Sequence, residues 1–306
     1  MATEIQSIGI RPSGYRLPDE ARIGVVRLQV SDLATSLPFY TRVLGFAVLS
    51  LENTRAALGP ADGPVLVELH ERRGIRRVPR RGLIGLYHFA ILLPDRKALG
   101  RFVAHLAEAG VHAGSADHLV SEALYLTDPD GLGIEVYADR PRAAWKTHGR
   151  EIAMATDPLD LRALVRAAGD ERWDGMPAGT TIGHVHFYVS TLGAAEAFYQ
   201  DALGFDKVVW SYPGALFFSA GGYHHHVGAN TWAAGAPAAT ADDARLLEWE
   251  LRLPTAAEAA AAAANAARAG FEVRADGSDN LITDPWGAHV RLAPGQADGH
   301  TQRSNL

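Results

Sequence analysis

The stretch GGYHHHVGANTW, residues 221–232, sets His224, His225 and His226 side by side. An imidazole ionises near neutral pH, so it can carry a proton in catalysis or offer a neutral nitrogen to a transition metal. The chain holds 13 histidines and no cysteine, which excludes disulfides, thiolate metal sites and a cysteine nucleophile. Neighbours in an extended chain point to opposite faces. His225 would then share one face with Tyr223 and Val227, while His224 and His226 turn the other way, into packing or solvent.

The rest of the composition narrows the setting. At 306 residues the chain can form two ordinary domains. No apolar run is long enough to span a membrane. The opening residues, MATEIQSIGIRPSG, lack a basic-then-apolar leader, so a cytoplasmic protein is expected. A net charge of -6 without a long basic run argues against nucleic acid as a partner.

Internal repeats set the elements that must position any site. VSDLATSLPFYTRVLGF (30–46) returns as VSTLGAAEAFYQDALGF (189–205), each copy reading as a helix after a short apolar strand. LYHFAILLP (86–94) returns as LLEWELRLP (246–254), and LTDPDGLGIEVY (126–137) as ITDPWGAHVRL (282–292). The alanine-rich run after Pro254 is a strong helix former, closed by Gly270. The pattern predicts four modules near 22–75, 84–140, 180–232 and 244–295, each a strand, a helix and three strands. The expected organisation is a tail over 1–21 and a first domain over 22–140 from modules one and two. A linker with a short helix follows over 141–179, then a second domain over 180–295 from modules three and four, and a tail over 296–306.

In these modules, in FYTRVLGF and FYQDALGF, and in DPDGLGIEVY, the chain resembles the vicinal oxygen chelate superfamily, also called glyoxalase/bleomycin-resistance/extradiol dioxygenase. It is similar more closely to the two-domain catechol 2,3-dioxygenases through GLYHFAILLPDR, DHLVSEALYLTDPDGLGIEVYADRPR, GHVHFYVS and GGYHHHVGANTW. The resemblance spans almost all of residues 22–295. It implies an α+β fold in which βαβββ modules pair into cup-shaped mixed sheets around one divalent metal. It also implies ring cleavage of a catechol with both atoms of O2, at mononuclear Fe(II) held by two histidines and a glutamate. The same donors accept Mn(II), and family habit implies a homo-oligomer.

Carried onto this chain, the ligands are His88 and His184, at matching first-strand positions of modules two and three, and Glu135 on the last strand of module two. Pairing modules two and three would gather all three in one cup. The other cup, from modules one and four, would hold Val25, Leu66, Glu248 and Arg291, a set that cannot chelate a cation; Glu248 and Arg291 are expected to form an ion pair. Tyr125, ten residues before Glu135, matches a tyrosine that touches a substrate oxygen in the ring-cleaving relatives. His225 matches their acid/base histidine, on the last strand of module three. His118, Asn230 and Trp232 are candidates to line the substrate pocket, whereas His186, which shares a face with His184, has no counterpart in module two and is left out as a ligand. The alternatives are an Mn-dependent thiol transferase or glyoxalase-like metalloenzyme, and a non-enzymatic ligand-binding resistance protein.

Overall fold

The computed structural model describes residues 8–295. The expected tail over 296–306, and residues 1–7 of the expected N-terminal tail, lie outside them. Module one comprises β1 (Arg22–Val30), α1 (Leu33–Pro38), β2 (Ala47–Glu52), β3 (Arg55–Gly59) and β4 (Val67–Glu71). Module two follows as β5 (Gly85–Leu92), α2 (Arg96–Glu108), β6 (Gly114–Asp117), β7 (Ser121–Thr127) and β8 (Gly133–Asp139). The linker carries a small hairpin, β9 (Thr147–His148) and β10 (Glu151–Ile152), and then α3 (Leu161–Ala168). Module three is β11 (Thr181–Tyr188), α4 (Leu192–Ala195), β12 (Asp206–Val209), β13 (Ala215–Ser219) and β14 (Val227–Asn230). Module four is β15 (Arg245–Leu253), α5 (Ala256–Arg268), β16 (Val273–Asp276), β17 (Asp279–Thr283) and β18 (His289–Pro294).

Each module helix begins on a side-chain cap. Asp32, Asp95, Thr191 and Thr255 each accept a hydrogen bond from a first-turn backbone amide, worth about 1 kcal/mol apiece. The FY…LGF helices differ from the regular helix expected. After α1 and α4 the chain widens by one residue per turn, with Leu44 N bonded to Phe39 O and Leu203 N to Phe198 O. The tyrosines of those motifs explain their repetition: Tyr40 donates to Asp128 at 3.1 Å and Tyr199 to Asp284 at 3.4 Å. Each bond ties a module to the next in sequence.

The sheets join the modules differently. One eight-stranded sheet runs β12-β13-β14-β11-β5-β8-β7-β6, so it unites modules three and two. The other runs β16-β17-β18-β15-β1-β4-β3-β2 and unites modules four and one. Antiparallel central pairs, β5 with β11 and β1 with β15, make each junction. Strand alternation then sorts the side chains. Phe89, Ile91, Val185, Phe187, Val26, Leu28, Trp249 and Leu251 enter the shared core, where the Phe187 and Trp249 rings lie 6.5 Å apart. The residues between them, His88, His184, His186, Arg27, Glu248 and Glu250, point out of that core.

Within the expected N-terminal tail, Leu17 is buried, Ile10 bridges to Lys207, and the Arg16 guanidinium holds Asp206 at 2.8 and 3.0 Å. No described helix is long and apolar enough to cross a membrane.

Candidate metal centre

Three neighbouring strands of the module two–three sheet bring His88 (β5), Glu135 (β8) and His184 (β11) together. Their facing atoms form a near-equilateral triangle: His88 Nε2 to Glu135 Oε2 is 3.0 Å, His184 Nε2 to Glu135 Oε2 is 3.1 Å, and the two Nε2 atoms are 3.3 Å apart. Two donor atoms about 2.1 Å from one ion, at right angles to each other, lie about 3.0 Å apart. The triangle thus fits one face of an octahedron, the arrangement that leaves the opposite positions open. All three side chains are buried, and among the described residues they are the one group of three histidine or acidic side chains able to hold a metal ion.

Electrostatics suit a cation. Burial alone would raise the Glu135 carboxyl, but His184 and His88 hold it well below the usual carboxylate range. Burial pushes His184 down to about 4 against the pull of Glu135. Burial, reinforced by neighbouring imidazoles, also depresses His186 and His225. These three rings are therefore neutral near pH 7, with lone pairs to give. The outer Nδ1 atoms of His88 and His184 have no hydrogen-bond partner. Tyr87 and Tyr137, with centroids 4.7 and 5.0 Å from the two rings, fix them by packing.

Two of the three, His88 and Glu135, line a cavity of about 440 Å³ whose walls are largely aromatic, from Tyr87, Tyr212, Phe217 and Trp232, with Met154 beside them and no lysine or arginine. A larger recess of about 640 Å³ around Arg42 and Trp173 holds none of these groups. Tyr125, opposite Glu135 in the β7–β8 register, lines the cavity with His118. His118 Nδ1 lies 2.7 Å from the Ala155 carbonyl and so must carry a hydrogen. Its Nε2, 2.5 Å from the Tyr125 oxygen, then accepts a hydrogen bond from the phenol O–H. Burial and the Glu135 charge raise Tyr125 well above its ordinary value, so the phenol stays protonated.

His225 also lines the cavity, its ring 4.0 Å from that of His184. It does not sit on a strand, as the sequence suggested: β14 begins only at Val227. Strict alternation therefore fails. His226 turns away against Tyr223 and Phe205. His224 does not; it is fully buried beside His225, with their Nδ1 atoms 2.8 Å apart. Trp232 is half exposed and lines the cavity. Asn230 lies behind the wall, donating to His186 Nε2 at 3.0 Å and accepting from Trp232 N at 3.0 Å. His186, set aside as a ligand, is a wall residue, with its ring 4.9 Å from that of His88. Its shared strand face with His184 was the signal for that. Nothing in the sequence singled out Tyr87, Met154, Tyr212 or Phe217.

The other cup is filled with paired charge. Arg291 grips Glu248 through Nε at 2.6 Å and Nη2 at 3.0 Å, the expected pair. Val25 and Leu66 are buried, but Arg27, which the sequence reading passed over, completes the cup. It reaches Glu248 at 2.6 Å, Glu250 at 2.8 Å and Glu68 at 3.0 Å. Arg27 faces Glu248 across its strand pair as His186 faces His88. Guanidinium groups thus neutralise the carboxylates there.

A model of the glyoxalase/bleomycin resistance protein/dioxygenase superfamily matches residues 22–136 and 181–292. A catechol-2,3-dioxygenase of Bacillus subtilis (strain 168) is 46% identical over 279 residues, covering 89% of this chain and 97% of the relative. Among solved structures, a candidate dioxygenase from Bacillus subtilis subsp. subtilis str. 168 superimposes with a TM-score of 0.62 at 13% identity, over 92% of this chain and 86% of that one. Glyoxalase I from Zea mays gives 0.51 at 16% identity, over 90% and 92%. At such identities the two structures share the fold.

Proposed function

We infer the function from one premise, that this chain belongs to the glyoxalase/bleomycin resistance protein/dioxygenase superfamily: it is an extradiol dioxygenase that opens a catechol ring with both atoms of O2 at a single Fe(II). The observation that carries this reading is the His88–Glu135–His184 triangle, two of whose members, His88 and Glu135, line an aromatic cavity that also presents Tyr125 and His225. Iron, when bound to those three side chains, supplies adjacent positions for the catechol oxygens and O2 and a route for an electron between them. Two neutral imidazoles and one carboxylate leave a dication with a net charge near +1, which favours a catecholate anion.

The chain's own groups do the rest. His225, neutral and facing the cavity, takes a proton from a catechol hydroxyl and returns one as the ring opens; such help is worth ~10²–10⁴-fold in rate. Tyr125 donates to His118 and so offers its oxygen to a substrate hydroxyl. Tyr212, Phe217 and Met154 give the ring an apolar bed and exclude water. With no lysine or arginine in the wall, uncharged catechols are the substrates that fit, and ring carboxylates are disfavoured.

The test is anaerobic loading with Fe(II), addition of a catechol, then air. Catechol and 4-methylcatechol should give the yellow 2-hydroxymuconic semialdehyde type of product, with 3,4-dihydroxybenzoate turned over far more slowly. His184→Ala should lower iron affinity by more than the ~10–100-fold typical of groups behind a ligand, and abolish the colour. Stoichiometric iron without ring opening of any catechol would overturn the reading.

A further inference from the structure

We propose that His224 is a positioning residue that sets the tautomer of His225, with Asp139 as its anchor. The inference rests on the reading of His225 as the group that exchanges protons with substrate. Asp139 ends β8, the strand that supplies Glu135, so one strand carries both a metal ligand and the anchor. Asp139 Oδ1 lies 2.8 Å from His224 Nε2 and also accepts from the Tyr223 hydroxyl at 3.2 Å. Tyr137 in turn lies 2.6 Å from that hydroxyl, and the Tyr223 and Trp145 rings, 4.1 and 5.3 Å away, hold the His224 ring.

The hydrogens follow from what each atom can do. A carboxylate only accepts, so His224 Nε2 carries a hydrogen. A neutral His224 then has a bare Nδ1, which at 2.8 Å can only be accepting from an N–H on His225 Nδ1. That leaves the lone pair of His225 on Nε2, while its ring lines the cavity. One hydrogen lies in each link, both directed away from substrate: His225 to His224 to Asp139. The arrangement extends to two imidazoles the way a buried aspartate holds a catalytic histidine in its working tautomer. A free imidazole side chain prefers the opposite tautomer, so a base aimed at the cavity needs this support.

Nitrogen NMR of the protein loaded with Zn(II), a diamagnetic ion the same donors accept, reads the tautomer directly. Two-bond proton–nitrogen correlations, assigned with His225→Gln, should show His225 protonated on Nδ1 in the wild type. His224→Phe should move that hydrogen to Nε2 with zinc content unchanged. His224→Asn places an amide oxygen where Nδ1 stands and should keep the wild-type tautomer. With Fe(II), the Phe variant should lose ~10–100-fold in kcat, as groups behind the reacting shell do, at a KM within about twofold of wild type, and the Asn variant should recover most of that loss. Should His224→Phe fail to fold, Asp139→Ala should give the same tautomer change. His225 protonated on Nε2 in the wild type, or a tautomer unmoved by these substitutions, would overturn the proposal. A tautomer change in a protein that opens no catechol would uphold the positioning and discard the dioxygenase reading.

Discussion

A phenol that donates its proton sideways meets substrate as an acceptor. Tyr125 is in that state, its hydrogen bonded to His118 and its oxygen on the cavity wall. Tyr125→Phe removes that oxygen without touching the metal ligands. Losing one such hydrogen bond costs about 1–3 kcal/mol, so kcat should fall by about 5- to 150-fold while iron content stays at the wild-type level; equal loss of both would make Tyr125 a structural residue. The sequence could place Tyr125 because it stands on a regular strand, opposite Glu135. The same regularity placed His88 and His184. It failed at His224, because Gly221 and Gly222 both take positive φ, +60° and +64°. Those two turns, open to glycine and strained for other residues, carry the next three histidines out of extended geometry, so a rule built on period two had nothing to act on there.

At the scale of elements, helix starts and their closing glycines, Gly45, Gly204 and Gly270, all at positive φ, were legible, and the widened turns just before Gly45 and Gly204 were not. Capping chemistry is local, and each module shows it in an Asp or Thr before the helix. The widened turns after α1 and α4 serve a tertiary contact instead: they present Tyr40 and Tyr199 to Asp128 and Asp284. Burial raises Asp284 from 3.8 to about 6, opposed by backbone amides of Ala288, Trp286 and Gly287. Because the folded form holds the proton more tightly than the unfolded chain, wild-type stability contributed here falls as pH rises from about 4 to 6. Asp284→Asn keeps an acceptor for the amides and carries no titrating carboxyl. Relative to wild type its unfolding free energy should rise between about pH 4 and pH 7, by up to about 3 kcal/mol, each pKa unit being worth about 1.4 kcal/mol. Denaturant unfolding at the two pH values measures this, and a pH-independent difference would show that Asp284 is not raised.

For the whole molecule, the decisive fact is that sequence neighbours share tyrosine–aspartate contacts while sheet neighbours come from opposite halves. The pairing was legible because only modules two and three together collect two histidines and a glutamate. Arg27 was not, because the internal alignment pointed to Val25 and the neutralising charge sits one strand repeat further on, where module three has His186. This exchange of partners means that neither half can close a sheet. A fragment of residues 1–169 would expose the unpaired edges of β5 and β1, and a fragment of residues 170–306 those of β11 and β15. Bare edges of this kind invite aggregation. The ligands divide likewise, His88 and Glu135 on one fragment and His184 on the other. Expressed apart, each fragment should aggregate and hold iron more than ~100-fold more weakly than the intact chain, a larger loss than disturbing groups behind a ligand brings. Refolded together from denaturant, they should regain iron and ring-opening activity in proportion to the complex formed. If either fragment alone bound iron stoichiometrically and opened catechol, the site would not require both halves, and the exchanged sheets would have to be explained by stability alone.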